Sequence, residues 1–596
     1  TRDFKMKINT VANGIKPLAL VTVMAITALN FSGCGSDSKN STSNDPVAAP
    51  SKAFDCTDND TVGARVICIG AVDDLSDQRI QDDLIAALAV ARTGDTFILP
   101  AGRYNFNSTI EFNGLVDNVA VSNLTFRGAG KDKTIIDASG AAADGFLINN
   151  TNYLTFEDFG IYESNNNALK VTKSNGVIMR NMATVWETDY QASNGAYGLY
   201  PVETSNVLIE DCFVKGSADA GIYVGQSDKI VVRNNIAEKN VAGIEVENST
   251  NADVYGNTAR GNTGGILVFD LPIGNGKYGS GVRVFDNEIT ANNAPNFANT
   301  GTFAGGVHIV PPGTGVIVLS TSDVEIYHNR IRDHQTISIA IASYILADEK
   351  VAQPPKANVG MGEGEVQNYG DIHPYATAFM DGWSPFVRNL NIHNNTITVA
   401  DGIDNPQGDL IKDLITGFKA FHNENPDIAD GKITAPHILY DGIAELLANT
   451  PHPEGQGESM IAAIAAGINA VAAGIKANIP GAQDYTPINM AVFAAYGEDS
   501  GVCQSDIALN DPSLFAASVY QTSATADTFS TGAPREKLQL LAGGVSGVAN
   551  AIMRDPNGVM NCASENAFRG SPATVTFNTE TFGCTADDRT QAACAL

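Results

Sequence analysis

The sequence predicts an all-β chain wound as a right-handed parallel β-helix solenoid, with an N-terminal capping helix and an α-helical insertion near the C-terminal end. Three observations carry this reading. Gly221-Ile222-Tyr223-Val224, Gly243-Ile244-Glu245-Val246 and Gly265-Ile266-Leu267-Val268 recur every 22 residues. Each is followed by a second short strand that closes on an asparagine, at Asn235, Asn257 and Asn287. A single coil of this size cannot bury its apolar face, so the coils must stack, ~4.8 Å apart, around one shared core.

The chain begins with a segment of targeting character. Lys5, Lys7 and Lys16 precede an apolar run from Leu18 to Leu29 that is too short for a spanning helix, and Met6 is the expected start. The run closes on Phe31-Ser32-Gly33-Cys34. This order resembles the bacterial lipobox, whose cysteine is lipidated, so residues 1–33 are expected to be a signal peptide and Cys34 the lipid anchor. Gly35 after the cysteine fits, by the same resemblance, an outer-membrane lipoprotein facing the periplasm or the cell surface. Residues 34–53, rich in Ser, Asn, Asp and Pro, lack apolar periodicity and are predicted to form a flexible tether.

The solenoid is predicted over residues 54–400. From Asp77 to Ala91 the apolar residues Ile80, Leu84, Ile85 and Leu88 repeat at helical spacing, and Gly94 ends the helix. Such a helix covers the otherwise open end of the first coil. In the regular coils the period-2 pattern points Leu199, Ile222, Ile244, Ile266 and Val307 inward. The closing residues Asn235, Asn257, Asn287, Asn329 and Asn395 form an amide ladder that serves structure. Within 401–500 the period turns helical, at Leu410, Ile411, Leu414, Ile415 and Phe418 and again from Ile461 to Ile475. This insertion is expected to pack on the solenoid or to dock another envelope protein. Residues 501–596 close the chain.

Eight cysteines divide by position. Cys34 goes to lipid, and Cys212 falls in a repeat strand as a buried thiol. Cys56 and Cys68 form the natural N-terminal pair, while Cys503, Cys562, Cys584 and Cys594 admit three connectivities, as suits an exported protein. No CxxC or Cys/His cluster suggests zinc. The formal net charge is −29, and removing the net +3 of residues 1–33 leaves −32. A surface of that sign repels nucleic acid.

The outward column of the repeats reads Lys170, Tyr200, Tyr223, Glu245, Leu267, His308, and the next Thr172, Val202, Gly225, Glu247, Phe269, Val310. Lys173, Glu203, Gln226, Asn248 and Asp270 stand at the turn. Tyrosines alternating with carboxylates and amides suit sugar rings, because the aromatic face covers C–H surface while polar groups take hydroxyls. Tyr200, Glu203, Tyr223, Gln226, Glu245, Glu247 and Asp270 are therefore the candidate ligand-binding residues. Glu245, Glu247 and Asp270 also form a carboxylate set that acid–base chemistry or Ca2+ would use, with His308 a further candidate base.

These repeats, with Gly198-Leu199-Tyr200-Pro201-Val202-Glu203 and Asp219-Ala220-Gly221-Ile222-Tyr223 among them, resemble the bacterial parallel β-helix repeat lipoproteins of the pectate-lyase-like superfamily. The resemblance implies the fold and assigns no activity. Mannuronan epimerases, wider relatives, carry Asp-Pro-His-Asp, where this chain has Tyr200-Pro201-Val202-Glu203, with Val202 in place of the histidine. Polygalacturonase-type paired aspartates with Gly-His-Gly are absent. The expected function is a lipid-anchored envelope protein binding a polysaccharide or glycoconjugate. The alternatives are a polysaccharide lyase or glycoside hydrolase, and a scaffold for an envelope partner.

Overall fold

The computed structural model describes residues 50–116, 119–299, 306–352, 372–400, 501–510 and 567–584, with shorter stretches at 355, 405–407, 412, 437–442, 460–478, 487–488, 516–518 and 553–554. The expected signal peptide, Cys34 and most of the expected tether lie outside these residues, as do Leu410, Ile411, Leu414, Ile415 and Phe418.

The coils wind as expected. Three sheets of 12, 11 and 12 strands run the length of the described solenoid, and almost every neighbouring pair is parallel. The first runs from Val66–Cys68 through Asn175–Arg180 and Asp228–Arg233 to Val502–Ser505; the second from Gly102–Asn105 to Ala508–Leu509. The third, which carries the site, includes Leu169–Thr172, Leu199–Val202, Ala220–Gly225, Ala242–Glu247, Gly264–Phe269, Thr314–Leu319 and Ile337–Ala342. Three strand directions per coil let each coil enclose a dry interior. Leu199, Ile222, Ile244 and Ile266 stack there fully buried, beside Phe97, Phe126 and Phe156, whose rings lie 5.1 and 4.9 Å apart.

The cap is an α-helix at Asp77–Ala89. Ser76 caps its first turn by accepting from the Arg79 N–H at 3.3 Å, and Ile80, Leu84 and Leu88 are buried. Ile85 instead faces solvent. The Cys56–Cys68 disulfide ties the segment before the helix to the first strand, and Cys503 and Cys584 are disulfide-bonded as well. Cys212 is the buried free thiol expected.

The asparagine ladder forms as predicted. Each amide donates to the next Oδ1, at 3.0 Å for Asn235 to Asn257, Asn257 to Asn287 and Asn287 to Asn329, and at 2.9 Å for Asn329 to Asn395. A second ladder that the sequence reading did not single out joins Asn240, Asn262 and Asn292 and ends on His334. Such chains leave the buried turn amides paired and set the register of each coil against the next.

The structure differs from expectation in three places. Gly306-Val307-His308 is not a coil strand: Val307–Ile309 is a short 3-10 turn in a loop, and Thr314–Leu319 pairs with Gly264–Phe269. The intervening residues lengthen this coil and break the 22-residue count. The solenoid also continues past residue 400, with Ile438–Tyr440 inside the expected insertion and Val502–Ser505, Ala508–Leu509 and Ala516–Ser518 beyond it. Finally, the hairpin Thr574–Phe577 and Glu580–Gly583 straps across the outer face of the first sheet, covering Ile178, Leu208 and Val231 with Val575 and Phe577.

Beneath and beside that strap, the first sheet carries its own outward columns. Arg127, Glu157, Arg180, Glu210 and Arg233 alternate in charge coil by coil, followed by the stacked rings of Tyr255, Phe285, Tyr327 and His393 at 4.8, 4.9 and 5.2 Å. Asp253 and Arg283 form a fully buried ion pair, and the Ala573 N–H also donates to Asp253 at 3.0 Å.

Candidate functional site

The site stands on the third sheet, where the expected outward columns hold over part of their length. Tyr223 pairs with Glu245 and Gly225 with Glu247 across one coil step, and Glu245 and Glu247 pair with Leu267 and Phe269 across the next. At the adjoining turn, Lys173, Glu203, Gln226 and Asn248 all have φ between 46° and 53°. That repeated left-handed residue turns each coil at the same point and presents its side chain beside the column.

The columns do not form one open groove. Leu267, Phe269, Ile317 and Leu319 lie under an apolar layer built by the loops that leave the solenoid, with Phe297, Val310, Tyr344, Phe379, Trp383 and Phe386 in it. Ala465, Ile468 and Ala472 of the helix Met460–Asn478 join the same layer, so this part of the insertion packs on the solenoid. Among the described residues no helix is long and apolar enough to cross a membrane. Short alternating strands look equally solvated in sequence whether or not a distant loop folds back on them, so the cover was not legible there.

What remains beside the cover is a cluster of carboxylates and tyrosines. The rings of Tyr197, Tyr200 and Tyr223 meet at 4.4, 4.6 and 4.9 Å between centroids, and Lys170 Nζ lies 5.0 Å over the Tyr200 ring. Tyr200, Tyr197, Asp219 and Gln226 are partly exposed, whereas Tyr223, Glu245 and Glu247 are only 4, 1 and 8% exposed. The Tyr223 hydroxyl donates to Glu247 Oε1 at 2.8 Å, and Gln226 Nε2 donates to the Tyr223 oxygen at 3.2 Å. Gly225 makes room for this arrangement, since a Cβ there would stand 2.3 to 2.6 Å from the Tyr223 ring and hydroxyl.

Asp270 lies one coil further, 4% exposed, accepting from the Gly279 N–H at 2.9 Å, while its carbonyl accepts from Trp383 Nε1 at 3.1 Å. Asn248 clamps the neighbouring loop by donating to the Leu271 and Lys277 carbonyls and accepting from the Leu271 N–H.

Burial controls the electrostatics. Loss of water pushes the Glu245 carboxyl well above the ordinary range, with the charges of Glu247 and Asp219 adding to the rise. Asp219 and Glu247 rise for the same first reason, each opposed by a tyrosine hydrogen bond, from Tyr197 and Tyr223 respectively. Asp270 is also pushed up by burial, against the Gly279 hydrogen bond and with help from the Glu247 charge. Among the described residues, no lysine or arginine charge acts on these four carboxyls.

Of the candidates named from sequence, Tyr200, Tyr223, Gln226, Glu245 and Glu247 come together, with Asp270 beside them. Glu203 is exposed at the turn next to Tyr200. His308 is exposed in its loop, and its expected slot in the column is filled by Ile317. Tyr197 and Asp219 join the site unpredicted. Both precede their strands, off the columns, so coil periodicity could not flag them. Among the described residues no group of three or more His, Cys, Asp or Glu side chains is arranged to hold a metal ion.

A family model described as right handed beta helix region matches residues 144–331, the stretch that holds all of this site. The chain is thus a right-handed parallel β-helix protein. Among solved structures, it is similar to the A-module of the Azotobacter vinelandii mannuronan C-5 epimerase AlgE4. Identity is 16%, coverage is 56% of this chain and 87% of that one, and the TM-score is 0.33. It is also similar to DFA-IIIase from Arthrobacter chlorophenolicus A6 in complex with GF2. There identity is 13%, coverage is 61 and 81%, and the TM-score is 0.35. No curated protein sequence matches significantly. Likenesses this remote leave the activity to be argued from the chain's own residues.

Proposed function

We propose that this chain is a polysaccharide-processing enzyme held to the outer membrane by a lipid on Cys34, with Glu247 and Asp270 as its acid–base pair. The supporting observation is two neighbouring desolvated carboxyls in unequal environments beside a wall of tyrosine rings. Burying a carboxylate costs several kcal/mol, so such groups are kept where chemistry uses their shifted protonation. Asp270, which burial pushes well above its ordinary value and which no side-chain hydrogen bond holds ionised, is the proton donor to a leaving glycosidic oxygen. Glu247, which the Tyr223 hydroxyl holds nearer to ionisation, serves as base or nucleophile. Tyr200, with Tyr197, offers the apolar face on which a sugar ring stacks, and Gln226 and Glu203 offer polar partners for hydroxyls. The anchor rests on the order of charged, apolar and small residues before Cys34.

The test is incubation of the purified mature chain with a panel of polysaccharides, following new reducing ends and unsaturated-sugar absorbance. Product that disappears in both Glu247→Gln and Asp270→Asn supports the assignment. Saturable binding without any product would make the chain a glycan-binding module. Retention of one envelope protein through residues 401–500, with no glycan bound, would make it a scaffold.

A further inference from the structure

The carboxyls that this chemistry does not use, Glu245 and Asp219, pose a separate question. Glu245 is 1% exposed, and its Oε2 has no hydrogen-bond partner. A buried acceptor left open is costly, and a buried carboxylate without countercharge more so. Glu247 and Asp219 act on Glu245 by charge, and its own charge in turn acts on Tyr197 and Tyr223. Among the described residues, none gives Glu245 Oε2 a donor and no basic side chain acts on the Glu245 or Asp219 carboxyl, so a ligand could supply both.

We infer that Glu245 and Asp219, with the rings of Tyr197, Tyr200 and Tyr223, form a subsite for the ammonium group of an amino sugar, so that the polysaccharide is one bearing free amines. This rests on the glycan reading above. Three features favour an organic ammonium over other partners. An ammonium supplies the donors that Glu245 Oε2 lacks and the charge that the cluster lacks. Aromatic faces attract an ammonium through the ring quadrupole, and Tyr200 already holds the Lys170 ammonium in that way. A uronan would bring further carboxylates into a site where, among the described residues, no guanidinium or ammonium acts on the Asp219 and Glu245 carboxyls, and like charges in a desolvated site repel strongly. The net charge of −29 also draws a polycation toward the chain. Asp219 and Tyr200, both partly exposed, form the approach, and Glu245 the inner end. On binding, the carboxyl proton at Glu245 leaves to solvent as the ammonium takes its place.

The experiment is isothermal titration of the mature chain with a fully deacetylated glucosamine oligomer, its N-acetylated counterpart and a glucose oligomer of the same length. Each titration is run in two buffers of different ionisation enthalpy. The expected result is that the deacetylated oligomer binds at least about tenfold more tightly, with proton release, and that Glu245→Gln removes that preference. Equal affinity for all three oligomers would overturn the amine subsite and leave the glycan reading standing. Binding of none of them, nor of any oligosaccharide from the polysaccharide panel, would overturn both. Retention of the preference in Glu245→Gln, with the same proton release, would also overturn the assignment.

Discussion

The Tyr223 hydroxyl donates to Glu247 Oε1 at 2.8 Å across one coil step, although the two residues lie 24 positions apart in sequence. The bond stabilises the ionised form of a carboxyl that burial raises to about 7. Tyr223→Phe removes the donor and keeps the ring, so the Glu247 carboxyl is expected to rise further. The pH–rate profile of the active chain should move its base-dependent limb toward alkaline pH by about one unit, the scale of a single hydrogen bond to a charged group. An unmoved limb would separate Glu247 from the chemistry.

Stability should fall as pH rises through the neutral range. Asp219 is raised to about 8 and Glu247 to about 7, so between their ordinary carboxylate values and these the folded chain binds more protons than the unfolded one. Linkage then makes the slope of stability against pH negative, and Glu245 and Asp270, also raised by burial, act in the same direction. For Glu247 alone the scale is on the order of 3 kcal/mol. Melting temperatures recorded across the range should decline toward alkaline pH, and Glu247→Gln should flatten the decline and stabilise the chain above neutrality.

Gly225→Ala tests whether the tyrosine is positioned by its neighbour. The added methyl falls within 2.6 Å of the Tyr223 ring and hydroxyl, so the ring must turn away from Glu247. Overpacking of this kind costs roughly 1–3 kcal/mol. Activity should drop as far as it does in Tyr223→Phe or further, while the fold persists by circular dichroism.

Asp253→Ala removes the carboxylate that forms the buried pair with Arg283 and takes away the acceptor for the Ala573 N–H. Breaking a buried pair from one side costs about 3–5 kcal/mol. Limited proteolysis should then cut the strap at residues 567–584 earlier than in the parent chain, with catalytic activity falling only when the fold does.

Asn257→Ala removes an amide that accepts from the Asn235 backbone and side chain and donates to the Val232 carbonyl and Asn287. Each buried group left open costs about 1–3 kcal/mol, so denaturant midpoints should shift well beyond those of an exposed Asn→Ala control. Because stacked repeats interact mainly with their neighbours, the loss should appear first in amide exchange of the adjacent coils.

The sequence by itself determined the winding: a 22-residue beat of Gly-Ile triplets, the inward column of Leu199, Ile222, Ile244 and Ile266, the asparagine ladder, the capping helix and the Cys56–Cys68 pair. These are local or nearest-coil properties, and periodicity records them because each coil repeats the same constraint. It also brought Tyr223, Gln226, Glu245 and Glu247 together, since a constant coil length converts spacing into proximity. Tertiary structure alone decided what covers that face. Whether Leu267, Phe269, Ile317 and Leu319 meet water or are sealed depends on loops returning from as far as Trp383 and on a helix at Met460–Asn478, and folding back leaves no mark on the period of the strands it covers. Glu245, Glu247 and Asp270, which read as a solvated acidic ladder in sequence, are buried in the fold: desolvation belongs to the surroundings a residue acquires, and no spacing rule carries it.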